Sequence, residues 1–282
     1  MIEKNQFKAL VLGDIHENVN ELQEIFKKKF SLNNPFDFIF CTGDFLNLEN
    51  DKKDKIVTEE QIKKGEEQIS EMVDILKKYS NKVFYVPGNH DPISIYENSE
   101  KIKHPQEIKN IHGKVEKIAP KLFIAGIGGS VDAYDKSGLL WNGFPYKDEQ
   151  KLKSDLENLE KLIEENSDGF DTQVIILSHT GPFGVGTTIS WRNEKNGPIQ
   201  GGSLVLHEWL ESVRNNAKFE VLCNLHGHVH HGRGTSLFHN ITTVNPGAIY
   251  KKQAALLNFS IHETSKKWTI NSFEFCGDFF RF

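Results

Sequence analysis

The sequence predicts an α/β protein, and three observations support this fold class. Short apolar runs that stop at glycine and polar residues recur along the chain, and such runs are typical of buried strands. Segments with apolar residues at helical spacing lie between them, and this alternation indicates an α/β arrangement. The C-terminal part is rich in strand-like segments, which predicts a second or mixed sheet.

The individual elements follow from the same patterns. Strands are expected at about residues 7–13, 37–42, 82–86, 121–127, 173–178, 219–225, 241–244, 253–262 and 267–276. Helices are expected from Asn18, over about 58–79, near 148–166 and from Ser203. Asn18 and Ser203 are suited to cap their helices because their side-chain oxygens accept hydrogen bonds from backbone N–H groups. The last two strands, joined around residues 263–266, are expected to form a hairpin.

Two long segments, 128–146 and 181–202, are expected to be irregular. Each contains glycines and one tryptophan, Trp141 in the first and Trp191 in the second. Loops of this length in a compact domain are usually functional. Each tryptophan therefore has two possible roles, stacking on a ring of a substrate or packing on its own domain.

Length and composition predict a soluble protein with one domain over residues 1–282. The chain has 38% hydrophobic residues, including 20 Phe, which is enough for a sizeable core, and no linker or repeat divides it. The mean hydropathy is −0.47, and no apolar stretch approaches the roughly 20 residues that cross a bilayer. We therefore expect no membrane association.

Charge and cysteine content narrow the function classes. The formal net charge is −5 with only four arginines, and no basic stripe is present, which disfavours dedicated nucleic-acid binding. The three cysteines (Cys41, Cys223 and Cys276) are scattered, so they are expected to fill apolar strand positions in a reducing compartment. The N-terminal residues lack the pattern of a signal peptide, and we expect a cytoplasmic location.

Metal-ligand residue types occur in five clusters, each directly after an apolar run. The clusters are Gly13-Asp14-Ile15-His16, Gly43-Asp44, Gly88-Asn89-His90-Asp91, Ser178-His179 and Gly227-His228-Val229-His230. Each cluster is weak evidence alone, because a Gly-Asp pair is a common turn. Together they would meet at one rim, since open α/β sheets bind ligands at the carboxyl ends of their strands. Aspartate, histidine and asparagine side chains at such a rim can hold two divalent ions.

The five clusters resemble, in order, the five motifs of the calcineurin-like metallophosphoesterase superfamily. The resemblance spans residues 13 to 230, and the strand pattern extends it to nearly the whole chain. It implies a four-layer sandwich of two mixed β-sheets flanked by helices, with a dinuclear metal centre. One ion would be held by Asp14, His16, Asp44 and His230, and the other by Asp44, Asn89, His179 and His228.

The resemblance also implies two divalent cofactor ions and a hydrolytic reaction. Mixed nitrogen and oxygen ligands suit manganese, iron, zinc, cobalt or nickel, and ligand type alone does not choose among them. Asp44, as a shared carboxylate, would bridge two ions about 3.5–4 Å apart. A metal-activated hydroxide would then attack phosphorus in line in a phosphomonoester or phosphodiester. We prefer a small-molecule, nucleotide-type phosphodiester as the substrate; the oligomeric state is left open.

His90 and Asp91 follow the ligand Asn89 and would be the catalytic pair. His90 resembles the superfamily's non-ligand histidine, which implies that it protonates the leaving alkoxide or stabilises the transition state. Asp91 has two possible roles: it accepts a hydrogen bond from His90 and fixes its tautomer, or it shapes the turn before Pro92.

Some assignments stay open at this level. In an extended strand His226, His228 and His230 would share one face, so spacing alone permits any pair as ligands; the Gly-His-x-His pattern selects the last two. Arg192 and Arg233 follow ligand clusters and are candidates to bind the substrate phosphate. Glu17 replaces a glycine found in many family members and is expected to face solvent.

A function of a different class is a non-catalytic scaffold or interaction protein on the same fold, because folds are retained when their chemistry is lost. Such a protein would be expected to lack some ligands or the catalytic histidine. All seven ligand residues and His90 are present in this chain, which favours the enzyme.

Overall fold

The computed structural model describes residues 4–29, 36–50, 56–80, 82–97, 108–169, 171–189 and 198–277. Within these ranges the strands are β1 (Gln6–Leu12), β2 (Phe38–Cys41), β3 (Val83–Tyr85), β4 (Ile108–Asn110), β5 (Val115–Ala119), β6 (Leu122–Ile127), β7 (Ala133–Asp135), β8 (Gly138–Trp141), β9 (Gln173–Ser178), β10 (Thr188–Ile189), β11 (Ile199–Gln200), β12 (Glu220–Leu225), β13 (Gly234–Phe238), β14 (Ile241–Asn245), β15 (Ala254–Ile261) and β16 (Trp268–Cys276). The helices are α1 (Val19–Lys29), α2 (Glu59–Lys77), α3 (Ser94–Glu97), α4 (Glu149–Asn166) and α5 (Leu204–Val213), with a 3₁₀ turn at Ile249–Lys251.

Two six-stranded mixed sheets form the centre of the molecule. In the first sheet the order is β16-β15-β1-β2-β3-β4, with β1 to β4 parallel and the β15–β16 hairpin antiparallel at one side. In the second the order is β13-β14-β12-β9-β6-β5, with four central parallel strands and an antiparallel strand at each edge. The predicted hairpin is therefore confirmed.

Three hydrophobic cores show how the layers stack. Strand β1 alternates between two of them: Leu10 and Leu12 pack with residues of α1 and α2, whereas Ala9 and Val11 pack with residues of the second sheet. The third core lies between the second sheet and helices α4 and α5. The layers are thus helix, sheet, sheet and helix, which confirms the predicted sandwich of two mixed sheets flanked by helices.

The four helix starts expected from the sequence are confirmed to within one residue, and at three of them the structure shows a side-chain cap. Thr58 forms a capping box with Gln61 at α2, and Asp148 and Ser203 cap α4 and α5. Asn18 lies directly before α1, and its carbonyl accepts a hydrogen bond from Leu22 N (3.1 Å). Its side-chain amide donates to the carbonyls of Ile15 (2.9 Å) and His16 (2.7 Å), so it stabilises the turn before the helix. Capping of α1 by its side-chain oxygen stays a prediction.

The expectation that segments 128–146 and 181–202 are irregular is wrong in part. They contribute β7, β8, β10 and β11, which form a third, four-stranded sheet in the order β10-β11-β7-β8. The two segments join where Gln200 of β11 pairs with Tyr134 of β7. Strands of two to four residues are too short to show a period of two, so the sequence pattern does not reveal them.

Two further expectations concern cysteines and membranes. Cys41, Cys223 and Cys276 are buried thiols within or at the end of strands, as predicted. In the part of the chain that the structure describes, no helix is both long and apolar enough to cross a membrane.

Candidate metal centre

The five ligand clusters follow the carboxyl ends of five strands. Asp14, Asp44 and Asn89 come after the parallel strands β1, β2 and β3 of the first sheet. His179 and the 228–230 turn come after the parallel strands β9 and β12 of the second sheet. Parallel strands end at a common edge, so the topology brings all five clusters to one rim of the sandwich.

Backbone hydrogen bonds lock the first two turns together. The N–H of Asp14 donates to Gly43 O (2.9 Å), and the N–H of His16 donates to Asp44 O (3.0 Å). In the second sheet, Gly227 N donates to His179 O (3.0 Å). These hydrogen bonds connect the ligand turns in pairs, so the turns of a pair do not move independently.

Four ligand residues have the left-handed backbone conformation that non-glycine residues rarely adopt. The φ angles are +50° for Asp14, +50° for His16, +54° for Asp44 and +64° for His228. Each such residue costs of the order of 1 kcal/mol and persists only where the surroundings hold it, typically at functional sites. Their concentration in these turns indicates that the backbone is arranged to aim the side chains.

Two glycines make room for the carboxylates. A Cβ atom at Gly88 would lie 2.2 Å from Asp44 Oδ1, and one at Gly227 would lie 2.7 Å from Asp14 Oδ2. No side chain fits at such distances, so the glycines of these clusters are required by close approach to the ligands themselves.

The first ligand group combines Asp14, His16, Asp44 and His230. One potential ligand atom from each lies within 4.8 Å of all the others. The Nε2 atoms of His16 and His230 are 3.0 Å apart, and His230 Nε2 is 3.3 Å from Asp14 Oδ1. This is the group that the resemblance implies for one ion.

The second group combines Asp44, His179 and His228, again within 4.8 Å. His179 Nε2 lies 2.9 Å from the side-chain oxygen of Asn89, which places this buried amide beside the group. The structure thus brings together the second ligand set as well, with Asp44 common to both.

Asp44 lies between the two groups in a fixed orientation. Its Oδ1 accepts a hydrogen bond from the backbone N–H of His90 at 2.9 Å. Its Oδ2 is 3.6 Å from His16 Nε2 and 3.4 Å from His179 Nε2. One oxygen is therefore held by the backbone, and the other faces both groups as a bridging ligand requires.

The outer ring nitrogens of three histidines have hydrogen-bond partners, and at His179 and His16 the partner is an oxygen that can only accept, which fixes the tautomer. His179 Nδ1 lies 2.7 Å from the carbonyl oxygen of Thr42, His16 Nδ1 lies 2.7 Å from Asn47 Oδ1, and His230 Nδ1 lies 3.0 Å from the Tyr250 hydroxyl. When Nδ1 donates, the lone pair is on Nε2, the nitrogen that faces the cluster. Such outer contacts orient metal-binding imidazoles.

The electrostatics of the cluster are dominated by burial and by mutual charge. Burial alone would raise the pKa of Asp44, but His179 and other nearby histidines hold that pKa well below its usual range. Burial alone would lower the pKa of His179, but Asp44 raises it to about 9. Burial lowers the pKa of His228 to about 3. At pH 7 the carboxylates are therefore ionised and His228 is neutral, as metal ligands must be, whereas His179 carries a proton that a bound metal ion would displace.

The donor set fits divalent metal ions. Two ligand-type atoms at the centre, Asp14 Oδ2 and His228 Nε2, are buried and have no hydrogen-bond partner among the described residues. A buried polar atom without a partner costs about 1–3 kcal/mol. A cation at the centre would satisfy both atoms and offset the two adjacent carboxylates. These residues can therefore hold metal, and mixed nitrogen and oxygen donors suit transition metals.

His90 and Asp91 have separate partners. The Nδ1 of His90 lies 2.9 Å from the carbonyl of Leu48, and its ring makes an edge contact with His16. Both oxygens of Asp91 accept from backbone N–H groups, those of Phe45 (2.9 Å), Leu46 (3.1 Å) and Gly88 (2.8 Å). Asp91 therefore shapes the turn, the second of its two possible roles, and the Leu48 carbonyl orients His90.

The remaining candidates are placed as follows. Strand β12 ends at Leu225, so His226 is not on a common strand face with His228 and His230; it is buried and belongs to neither ligand group. Glu17 is exposed, as expected. Arg233 lies over the ring of Phe275 (5.5 Å) and donates to Gly277 O (3.4 Å), which ties it to the C-terminal strand. Arg192 and Trp191 lie outside the described residues.

The small sheet brings an aromatic side chain to the centre. Trp141 of β8 makes an edge contact with His228, with the ring centroids 6.1 Å apart. Its benzene edge also lies near Gly201, where an added Cβ would be 3.5 Å from Trp141 Cζ2. The first of the two segments predicted to be functional therefore reaches the ligand cluster through Trp141, and the second segment packs beside Trp141 at Gly201.

Sequence reasoning missed Asn47, Tyr250 and Lys251. Asn47 donates to His16 O (3.0 Å) as well as accepting from its ring, and Lys251 Nζ lies 3.4 Å from His230 O. Asn47 is three residues beyond Asp44, and this proximity was an available signal. Tyr250 and Lys251 are 20 and 21 positions from His230, so only the fold brings them to it.

Comparisons with known proteins agree with this arrangement. The family model for the calcineurin-like phosphoesterase matches residues 7–232. TT1561 of Thermus thermophilus has a similar structure, with a TM-score of 0.54 and 16% identity over 94% of this chain and 98% of that one. A dimetal phosphatase from Danio rerio, LOC 393393, has a TM-score of 0.54 and 12% identity over 96% of each chain.

No curated protein matches the chain. The likeness to these solved structures shows the fold alone because the identities are low. The family model shows family membership as well, because it spans well over half of the 282 residues. The chain belongs to the calcineurin-like phosphoesterase family.

Proposed function

We propose that this protein is a metal-dependent hydrolase of phosphomonoesters or phosphodiesters with a dinuclear centre. The observation that carries the proposal is the pair of ligand groups that share Asp44. Asp14, His16 and His230 would hold one ion, Asn89, His179 and His228 would hold the other, and Asp44 Oδ2 would bridge them. Two bound divalent ions would lower the pKa of a water molecule and neutralise charge on the phosphoryl oxygens.

The protein's own residues supply orientation and a proton. The Leu48 carbonyl accepts a hydrogen bond from His90 Nδ1. The imidazolium form of His90 would therefore carry its second proton on Nε2, would transfer that proton to the leaving alkoxide, and would be left as neutral imidazole. His90 is only partly buried, which allows contact with a substrate. Its backbone N–H also holds Asp44, so the proton donor and the bridging ligand are fixed relative to each other.

Lys251 supports the binding of an anionic substrate. Its ammonium group lies beside His230 and close enough to Asp14 for the carboxylate to raise its pKa, although burial lowers that pKa overall. An ammonium group has three donors, and the His230 carbonyl accepts from only one of them. The others are available to a phosphoryl oxygen. Arg192 and Arg233 stay candidates for the same role.

A small substrate fits best. Trp141 beside His228 provides an aromatic surface at the centre, and such surfaces stack on rings. The net charge of −5 disfavours a nucleic-acid polymer. We therefore prefer a small-molecule phosphodiester of the nucleotide type, with manganese, iron, zinc, cobalt or nickel as the ions.

A substrate and metal panel tests this function. Metal-stripped protein would be assayed with p-nitrophenyl phosphate and bis(p-nitrophenyl) phosphate after addition of each of the five metals or magnesium. We expect hydrolysis only with added metal, and bound metal by elemental analysis. A protein that binds no metal and hydrolyses neither ester would contradict the proposal and would favour a non-catalytic scaffold.

A further inference from the structure

The segment 245–251, which begins at the last residue of β14, supplies no ligand but contacts two ligand turns. The Asn245 side chain donates to Val229 O (3.0 Å), the carbonyl between His228 and His230. Ile249 N donates to Gly13 O (3.1 Å), next to Asp14. Residues 245–251 thus connect the first cluster of the chain to the last.

The 3₁₀ turn in this segment holds His230 at two points. The Tyr250 hydroxyl lies 3.0 Å from the Nδ1 atom of His230, and Lys251 Nζ lies 3.4 Å from its carbonyl oxygen. The Tyr250 ring also makes edge contacts with the His230 ring (5.2 Å between centroids) and the His16 ring (6.0 Å). Tyr250 therefore packs against both histidines of the first ligand group.

The partner of His230 differs in kind from those of the other two ligand histidines. A carbonyl oxygen, as at His179, can only accept, and the amide at His16 is oriented by its second bond to His16 O. A tyrosine hydroxyl can donate or accept. The Tyr250 hydroxyl can therefore accept from His230 when the proton is on Nδ1 and the lone pair is on Nε2. A cation bound to Nε2 would leave the proton on Nδ1, and the hydroxyl would then act as the acceptor.

We propose that Tyr250 is a positioning residue for the first metal-binding group: its hydroxyl accepts a hydrogen bond from His230 Nδ1 and keeps Nε2 aimed at the ion. The inference rests on the metal centre of the proposed function. Loss of the hydroxyl leaves the His230 N–H without its acceptor and the ring free to turn. Loss of such outer contacts typically lowers metal affinity by about 10–100-fold.

Tyr250→Phe tests this role with little disturbance, because phenylalanine keeps the ring contacts with His16 and His230. Calorimetric titration of the metal-stripped variant with zinc is expected to show one site weakened by about 10–100-fold and the other unchanged. Tyr134→Phe is the matched control: its hydroxyl bonds to Asp132 on the small sheet, and both zinc affinities should be unchanged. The unfolding temperature of metal-free Tyr250→Phe shows whether it folds normally.

An NMR measurement separates positioning from general destabilisation. In the zinc-loaded protein with ¹⁵N-labelled histidine, the His230 Nδ1 proton should exchange slowly because it is hydrogen-bonded. The signal should broaden or vanish in Tyr250→Phe, while that of His179, bonded to the Thr42 carbonyl, should stay. Equal zinc affinities in Tyr250→Phe and the unmodified protein would overturn this inference alone. Failure of the unmodified protein to bind any metal would overturn the proposed function as well.

Discussion

Asp44 uses its two carboxylate oxygens for different tasks, and this division explains much of the centre. Oδ1 accepts from the His90 backbone and Oδ2 faces both histidine groups. A freely rotating carboxylate would lose entropy on bridging two ions, whereas this one is already held in place and would lose less in the dinuclear centre that we propose. Gly88 permits the arrangement because any side chain there would collide with Oδ1.

His90 is predicted to act on the proton and not on the metals. His90→Ala should lower kcat by about 10²-fold or more, since general acids contribute about 10²–10⁴-fold. Metal content measured by elemental analysis should stay normal because His90 belongs to neither ligand group. His239→Ala, at an exposed histidine paired with Glu211, is the control for loss of an imidazole elsewhere. An unchanged kcat in His90→Ala would refute the acid role.

Lys251 is predicted to affect substrate binding. Lys251→Gln should raise KM for a phosphoester by about tenfold, equivalent to about 1.4 kcal/mol, because a charge-assisted hydrogen bond to the phosphate is lost. The neighbouring Lys252→Gln is the control, since Lys252 is exposed and pairs with Glu24. Steady-state kinetics on both variants and on the unmodified protein measure this effect. If Lys251→Gln has the same KM as the unmodified protein, Lys251 does not bind the substrate.

At the residue scale, the sequence allowed prediction of residues that lie within the motifs but not of residues that only the fold brings close to them. The clusters contain the ligand residues themselves, so Asp14 and His179 could be named in advance. Tyr250 could not, because its contact with His230 depends on how the chain returns after β14. Asp91 was ambiguous for the same reason: its hydrogen-bond donors come from the Phe45–Leu46 backbone, 45 or 46 positions away.

Among the elements, the connection after β4 contains a partly buried titratable group, His112. His112 accepts a hydrogen bond on Nδ1 from Gly128 N (2.9 Å) and contacts the ring of Tyr96. Burial lowers its pKa from 6.5 to about 4. The unfolded chain therefore takes up a proton near pH 6.5, and the folded chain takes it up only near pH 4. Stability is complete above pH 6.5 and falls as the pH decreases towards 4.

This linkage predicts a measurable change in the pH dependence of unfolding. Between pH 7 and pH 5 His112 should cost the unmodified protein about 2 kcal/mol of stability, and His112→Asn should not show that loss. Asparagine keeps an acceptor near the Nδ1 position. Urea unfolding at several pH values measures the free energy of unfolding of both proteins. A chelator is added so that metal release does not contribute to the pH dependence. Parallel stability profiles for the two proteins would contradict the prediction.

Whether an element could be predicted from sequence depended on its length and its caps. The strand at 173–178 was placed with its observed bounds, and α2 was placed within two residues because its apolar spacing marks it. Strand β13 was missed because its residues are mostly exposed and lack an apolar run. The small sheet was missed because its pairing joins Tyr134 to Gln200, which no local pattern records.

On the scale of the whole molecule, the two stacked sheets together place all the ligand residues at one rim. Each sheet brings parallel strands to the rim, so ligands from β1 to β3 face ligands from β9 and β12 across the inner core. Neither sheet alone supplies all the residues of either ligand group. The overall charge of −5 does not oppose the binding of phosphate, because the local charge at the rim would be set by two cations against two carboxylates.

The fold and the substrate depend on different parts of the chain. The family model covers residues 7–232, and similar structures align over nearly the whole chain at 16% or 12% identity. The common architecture therefore determines where ligands can sit. Side chains such as Trp141 and Lys251, which surround the ligands, are where we expect this protein to select its own substrate.

The most direct test of the account is the metal content of Asp44→Asn beside that of the unmodified protein. After equilibrium dialysis with manganese or zinc, the unmodified protein should hold about two ions per chain. Asp44→Asn should bind both ions more weakly, because the shared ligand loses its charge. Asp171→Asn, at an exposed carboxylate paired with Lys121, should still hold about two. Absence of metal from the unmodified protein, or full and equally tight occupancy of both sites in Asp44→Asn, would contradict a dinuclear centre bridged by Asp44.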